Sequence, residues 1–199
     1  MDETPESDAA VWPGGDSLAD VRRIARPHPA ILPPDELLAQ CRMTQMRRGG
    51  PGGQHRNKVS TAIGWMHEPT GIAAEASESR DQNRNRQEAL KRLRLRLAIR
   101  LRGEALGSEE PGGAEDRGEA IRRLGIERRL KVSAKSDDYP AVLAMVLDDL
   151  HRAGGQPSLV GPLWQASTSA VVSLVADCPA ALQEVNRWRA HHGRGPLRR

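Results

Sequence analysis

Residues 60–76 read Ser-Thr-Ala-Ile-Gly-Trp-Met-His-Glu-Pro-Thr-Gly-Ile-Ala-Ala-Glu-Ala. The β-branched and apolar content of 60–66 predicts a strand, and Pro69 and Gly71 stand where a type I turn wants them. Residues 72–76 then complete a hairpin. Downstream, Leu90, Leu93, Leu97 and Leu101 recur at helical spacing over 83–101. The run 93–101 also alternates like a strand, but its length and its Gln, Glu, Ala and Lys content decide for a helix. Upstream, Pro33 and Pro34 precede a short helical pattern at 35–40 and an extended segment at 42–46.

Charge is unevenly spread over the 199 residues, whose net charge is +4. Residues 1–40 hold 3 Lys and Arg against 8 Asp and Glu, residues 41–102 hold 14 against 5, and residues 103–199 hold 13 against 13. A polyanion such as RNA is attracted to the middle third, although a solvated basic helix face gives the same count. Aromatic content of 3% and no Phe require a core of Leu, Val, Ile, Ala and Met. Cys41 and Cys178 belong to no paired motif, so a disulfide scaffold is not expected and a reducing cytosol fits. The acidic N-terminus is unlike a signal or transit peptide, and no apolar run has the length of a membrane span.

Residues 48–58, Arg-Gly-Gly-Pro-Gly-Gly-Gln-His-Arg-Asn-Lys, place a permissive backbone before a glutamine and a cluster of cations. Glycines let the main chain approach another molecule closely. A glutamine is no general base at neutral pH, yet its backbone N–H can donate to an oxyanion and its amide can position water. The tripeptide alone reads first as a loose Gly-rich surface loop. Gly154-Gly155-Gln156 repeats it without the cations, where Gly154 reads as a helix stop before a strand. Arg48, Arg56 and Lys58 are candidate phosphate ligands beside the first copy, with Arg84, Arg86 and Arg92 extending the track. The residues alone leave open whether each is an RNA contact or an ordinary surface charge.

The ordered series Gly50-Pro51-Gly52-Gly53-Gln54, Asn57-Lys58, Ser60-Thr61-Ala62, His67, Pro69-Thr70-Gly71-Ile72 and Arg80, Gln82, Asn85-Arg86 closely resembles the catalytic domain of class I peptide chain release factors and of small codon-independent ribosome-rescue hydrolases. The resemblance runs for about fifty residues. It implies that Gly52, Gly53 and Gln54 are catalytic, entering the peptidyl-transferase centre of the large ribosomal subunit to coordinate water on peptidyl-tRNA. It also implies Arg80 among the rRNA-binding residues, a cytoplasmic location, no cofactor or metal, and a methyltransferase that modifies the glutamine. Asp81 stands where the family usually has Ser, which weakens one contact or cap. His55 has no carboxylate or Cys partner in its neighbourhood of sequence, and His67 is expected to pack or hydrogen-bond in the hairpin. His191 and His192 end a helix and favour its dipole.

The expected fold is α+β: a small mixed or antiparallel sheet packed against a long basic helix, with a second small α/β lobe. Residues 1–20 read as a disordered acidic N-terminus, 21–102 as the release-factor-like domain, 103–118 as a linker, 119–192 as a lobe of order β-α-β-β-α and 193–199 as a short basic tail. In that lobe strands are predicted at 130–134, 158–163 and 170–176, with helices from Pro140 to Gly154 and from Pro179 to about His192. Outside 35–102 nothing resembles a stop-codon-reading domain, so codon-independent peptide release is the expected function. A non-catalytic ribosome- or RNA-binding protein that keeps the domain for docking, or a factor that needs a partner, stays open.

Overall fold

A computed structural model describes residues 21–46, 61–103 and 130–198. The α+β class holds. Strands β1 (Arg22–Ile24), β2 (Cys41–Met46), β3 (Ala62–His67), β4 (Ile72–Ala76) and β5 (Leu101–Gly103) are joined by helices α1 (Pro34–Ala39), α2 (Gln82–Arg100), α3 (Tyr139–Arg152), α4 (Pro157–Val160), α5 (Thr168–Ala176) and α6 (Pro179–His191). The predicted disordered N-terminus, residues 104–118 of the linker and the first part of the C-terminal lobe lie outside the described residues.

The hairpin forms as its turn chemistry dictates. The Thr70 and Gly71 amides both donate to the His67 carbonyl, at 3.2 and 2.8 Å, and Gly71 takes a φ of 68°. β2, β3 and β4 make an antiparallel sheet in that order, with Met43 opposite Trp65 and Trp65 opposite Ala74. His67 does hydrogen-bond in the hairpin: Nδ1 lies 2.8 Å from Thr70 Oγ1 and Nε2 lies 3.1 Å from Gln40 Oε1.

Helix α2 explains its own ambiguous sequence. Ala89, Leu93 and Leu97 are buried against Ile63, Trp65, Ala74 and Ala76 of the sheet, while Leu95 and Ile99 pack into a second cluster built by the C-terminal helices. A helix with apolar neighbours on two sides needs leucines on two faces, and in the string 93–101 this mimics alternation. Arg94 is buried in the same region, with its guanidinium donating to the carbonyls of Ala30 and Leu32 at 3.1 and 3.2 Å.

The C-terminal lobe departs from expectation. Residues 158–163 and 170–176, predicted as strands, are helical: α4 with a 3-10 turn at Pro162–Trp164, and α5. Residues 130–134 carry no strand among the described residues. The reason in α5 is local and tertiary together. The Ser167 hydroxyl accepts from the Ala170 amide at 3.2 Å, capping a first turn, and Val171, Leu174 and Val175 then fall on one buried face. A short apolar run cannot be assigned to strand or buried helix by periodicity alone. The helices at 139–152 and 179–191 match their predicted spans. Gly154 and Gly155, with φ of 57° and 73°, do stop α3, but the chain continues into α4 rather than a strand.

A parallel pair, β1 with β5, was not anticipated; Arg22 faces Leu101 and Ile24 faces Gly103. It carries Arg102 inward. The Arg102 guanidinium donates to the Ala98 and Ile99 carbonyls, both at 2.6 Å, and pairs with Asp148 of α3 at 3.3 Å. Asp148 also accepts from the Gly103 amide at 3.2 Å. Burial raises the Asp148 carboxyl to about 6 against the pull of Arg102, so this ion pair is formed at a real desolvation cost. Removing one partner strands the other: Asp148→Ala should lower unfolding free energy by about 3–5 kcal/mol in urea denaturation at pH 7, a loss that Asp148→Asn reduces.

His28 is buried beside Leu101, with the Ala30 amide donating to Nδ1 at 3.1 Å and Nε2 3.3 Å from the Leu101 carbonyl. Those two neighbours select the neutral ring with its proton on Nε2. Burial first, then the Arg102 charge, lower its pKa to about 3. A depressed histidine gives stability that is complete above the unfolded value near 6.5 and is lost as pH falls toward the folded value. Asp148, raised, acts with the opposite sign between about pH 4 and 6. The comparison of two proteins isolates His28: between pH 6.5 and 5 the stability of His28→Gln should fall less steeply than wild type, by up to about 1.4 kcal/mol per pH unit.

Candidate functional site

Met46 and Ala62 are partners across the β2–β3 ladder, so the chain that holds the glycine-rich segment leaves the sheet and returns to it at one end. Gly52, Gly53, Gln54, Arg48, Arg56 and Lys58, with His55, lie outside the described residues. What is described is the platform at their base.

Asn85 is its clamp. Buried to 1% exposure, its amide Nδ2 donates to the Thr61 carbonyl at 2.7 Å and to the Ser79 carbonyl at 2.8 Å, while Oδ1 accepts from the Ser79 amide at 2.9 Å. One side chain on the first turn of α2 thereby holds both the returning strand and the approach to the helix. Asp81 starts that helix, its carboxylate accepting from the Asn83 and Arg84 amides at 2.8 and 3.4 Å. The departure from Ser thus does not weaken the cap, since aspartate is as good a capping residue and adds a charge that the helix N-terminus favours. Trp65 ties β3 to the same turn through Nε1, which donates to the Arg86 carbonyl at 3.2 Å.

The cations divide by what holds them. Arg80 and Arg84 are exposed and form no ion pair among the described residues. Arg86 is exposed with its guanidinium 5.4 Å from the centre of the Trp65 ring, a cation–π contact that aims it without neutralising it. Arg92 is engaged within the chain, donating to Glu78 at 2.9 Å, to Glu88 at 3.1 Å and to the Glu75 carbonyl at 3.0 Å. The hydrogen bond from Arg92 holds the Glu78 carboxyl below its usual range. A phosphate reaching Arg92 has to compete with two carboxylates, whereas one reaching Arg80, Arg84 or Arg86 does not. Sequence reasoning placed Asn85 in the series that resembles a family but gave it no role; a buried Asn at a helix start is the signal that it serves the backbone.

Asn85→Ala leaves the Ser79 amide and two carbonyls without partners, and a loss of about 1–3 kcal/mol is expected in denaturant titration. Arg84→Glu, at an exposed position, should change stability by less than about 0.5 kcal/mol in the same measurement.

Residues 37–136 match the model of the RF-1 domain family. Peptide chain release factor 1 of Xylella fastidiosa is 33% identical over 124 residues, covering 60% of this chain and 31% of that protein. The proteins of the same name from Leptothrix cholodnii and Nautilia profundicola are 38% and 39% identical over 89 and 82 residues. Those matches cover 42% and 39% of this chain, and 25% and 23% of the two relatives. The chain spans about a quarter to a third of the length of these relatives.

Proposed function

From the premise that this chain belongs to the RF-1 domain family, we propose that it hydrolyses the ester linking a nascent peptide to tRNA on the cytoplasmic ribosome, and does so without reading a codon. The observation that carries the proposal is the Asn85 clamp. It holds Thr61, where the chain returns to the sheet, on the same helix turn as Arg84 and Arg86, which form no ion pair among the described residues. Residues 21–102 are the catalytic unit in this reading. The helices α3 to α6 lie beyond the matched residues and pack on α2, which supports a role for them other than codon reading.

The chemistry follows from the glutamine. Gly52 and Gly53 present no Cβ to a crowded cavity, and Gln54 contributes a main-chain N–H to the oxyanion and a side-chain amide to an incoming water. Water attacks the ester carbonyl carbon, the bond to the tRNA ribose oxygen breaks, and that oxygen leaves with a proton. Nothing in the segment needs to titrate near neutrality, so placement rather than proton transfer by a side chain sets the rate. Arg80, Arg84 and Arg86 hold rRNA or tRNA phosphates beside the segment, joined by Arg48, Arg56 and Lys58. Gln54 is a substrate for an N-methyltransferase on the same reading.

Peptide release from ribosomes stalled on truncated mRNA is the direct test. Gln54→Ala and Gly53→Ala should each slow release by at least about a hundredfold while ribosome affinity stays within a factor of two. Unchanged release in both variants rejects the mechanism. Release only on stop codons rejects codon independence, and tight, salt-sensitive ribosome binding without any release indicates a docking module instead.

A further inference from the structure

At the far end of α2 from the clamp, a cavity of about 270 Å³ opens between the β1–β5 pair and α6. Its walls come from two sources. Ile72, Ile99, Arg100 and Arg102 lie within the family-matched residues, whereas Val21, Arg22, Glu184, Arg187 and Trp188 lie outside them. The cavity is therefore a property of this chain's additional segments seated on the matched domain.

Its charge is unbalanced. Arg102 is neutralised by Asp148 at 3.3 Å, and Arg187 pairs with Glu184 at 2.7 Å. Arg22 donates to the Thr70 carbonyl, which carries no formal charge, and Arg100 is exposed with no ion pair among the described residues. Arg22 and Arg100 thus line the space with no carboxylate partner among the described residues, and Glu184, which also lines it, is taken up by Arg187. Trp188 packs at the cavity wall at 1% exposure, with the Arg102 guanidinium 5.2 Å from the centre of its ring, so its indole N–H senses what enters beside it. An arginine-rich lining with a single carboxylate favours an anionic group.

Size and lining narrow the class. The volume equals roughly nine waters at about 30 Å³ each, room for a phosphate together with its sugar. Val21, Ile72 and Ile99 supply an apolar wall for the sugar or base, and arginine is the side chain best matched to phosphate. We propose that this cavity seats a backbone phosphate of RNA, making it a second anchor distinct from the cations Arg80, Arg84 and Arg86 at the start of α2. From Asn85 to Arg100 along α2 is about 22 Å at about 1.5 Å per residue, so the two anchors together fix how the helix lies on RNA. The inference rests on the RNA-directed reading above but not on catalysis.

The Trp188 indole N–H gives a local readout. In the full-length ¹⁵N-labelled protein its signal is assigned by its loss in Trp188→Phe, and a ten-nucleotide oligouridylate is titrated in. The signal should shift with the oligonucleotide, and inorganic phosphate should compete. Arg100→Glu should weaken that titration at least fivefold and lower its salt slope by about one, with thermal midpoint unchanged because Arg100 is exposed. Gln54→Ala should titrate like wild type, so loss of peptide release and loss of this contact are separable results. A shift caused by adenosine monophosphate but not by the oligonucleotide overturns the RNA assignment in favour of a free-nucleotide site. No shift with any of the three probes, or one that Arg100→Glu leaves intact, overturns the cavity as an anion site.

Discussion

Arg102 is the side chain on which the two halves of the molecule depend. Its guanidinium satisfies the Ala98 and Ile99 carbonyls at the end of α2, pairs with Asp148 on α3, and lies 5.2 Å from the centre of the Trp188 ring on α6. The last carbonyls of a helix have no partner within it, so a charge that caps them is already useful. Burying that charge requires an anion, and Asp148 supplies it from the additional helices. The Gly103 amide and the more distant Arg26, 3.9 Å away, complete the shell around the carboxylate. The cost of desolvating both ions is offset only while α2, α3 and α6 keep their present arrangement. This converts a generic apolar contact between helices into a specific one.

Because α2 belongs to both apolar clusters, the sheet side and the C-terminal side are read out through the same rod. Leu93 and Leu97 face the hairpin, while Leu95 and Ile99 face the helices beyond residue 138. A helix packed on two sides has little freedom to shift along either. The clamp at Asn85 inherits that rigidity, and with it the point at which the glycine-rich segment joins the sheet. In the proposed hydrolysis, catalysis by placement gains from a platform that does not move.

The basic middle third of the chain is less uniform than its charge count suggests. Arg94 and Arg102 are interior structural groups, each donating to main-chain carbonyls. Arg92 is taken up by Glu78 and Glu88. Among the described residues, Arg80, Arg84 and Arg86 at the start of α2, Arg96 along it and Arg100 at its end are exposed with no carboxylate partner. Which of the charges are interior, more than the net charge, governs what a polyanion can meet.

The hairpin and the long helix were legible in the sequence because local chemistry decides them. Gly71 is needed at a positive φ, Pro69 fits the preceding turn position, and the leucines of α2 repeat with the helical period. The candidate catalytic residues Gly52, Gly53 and Gln54 stand in the sequence as an ordered motif, and they lie outside the described residues. The strands forecast at 158–163 and 170–176 failed because apolar runs of that length fit a strand or a buried helix equally well. Only the Ser167 cap and the cluster waiting for Val171, Leu174 and Val175 chose the helix. Asn85 as a clamp, Arg102 as a linchpin and the cavity under Trp188 were invisible for a different reason. Each is made by residues 24 to 166 positions apart, as with Asn85 and Thr61, Arg102 and Asp148, or Arg22 and Trp188. Sequence by itself determined the period and the turns, since these are properties of neighbours in the chain. The tertiary structure alone decided which charges are interior and which face outward, since desolvation depends on what the rest of the fold brings near.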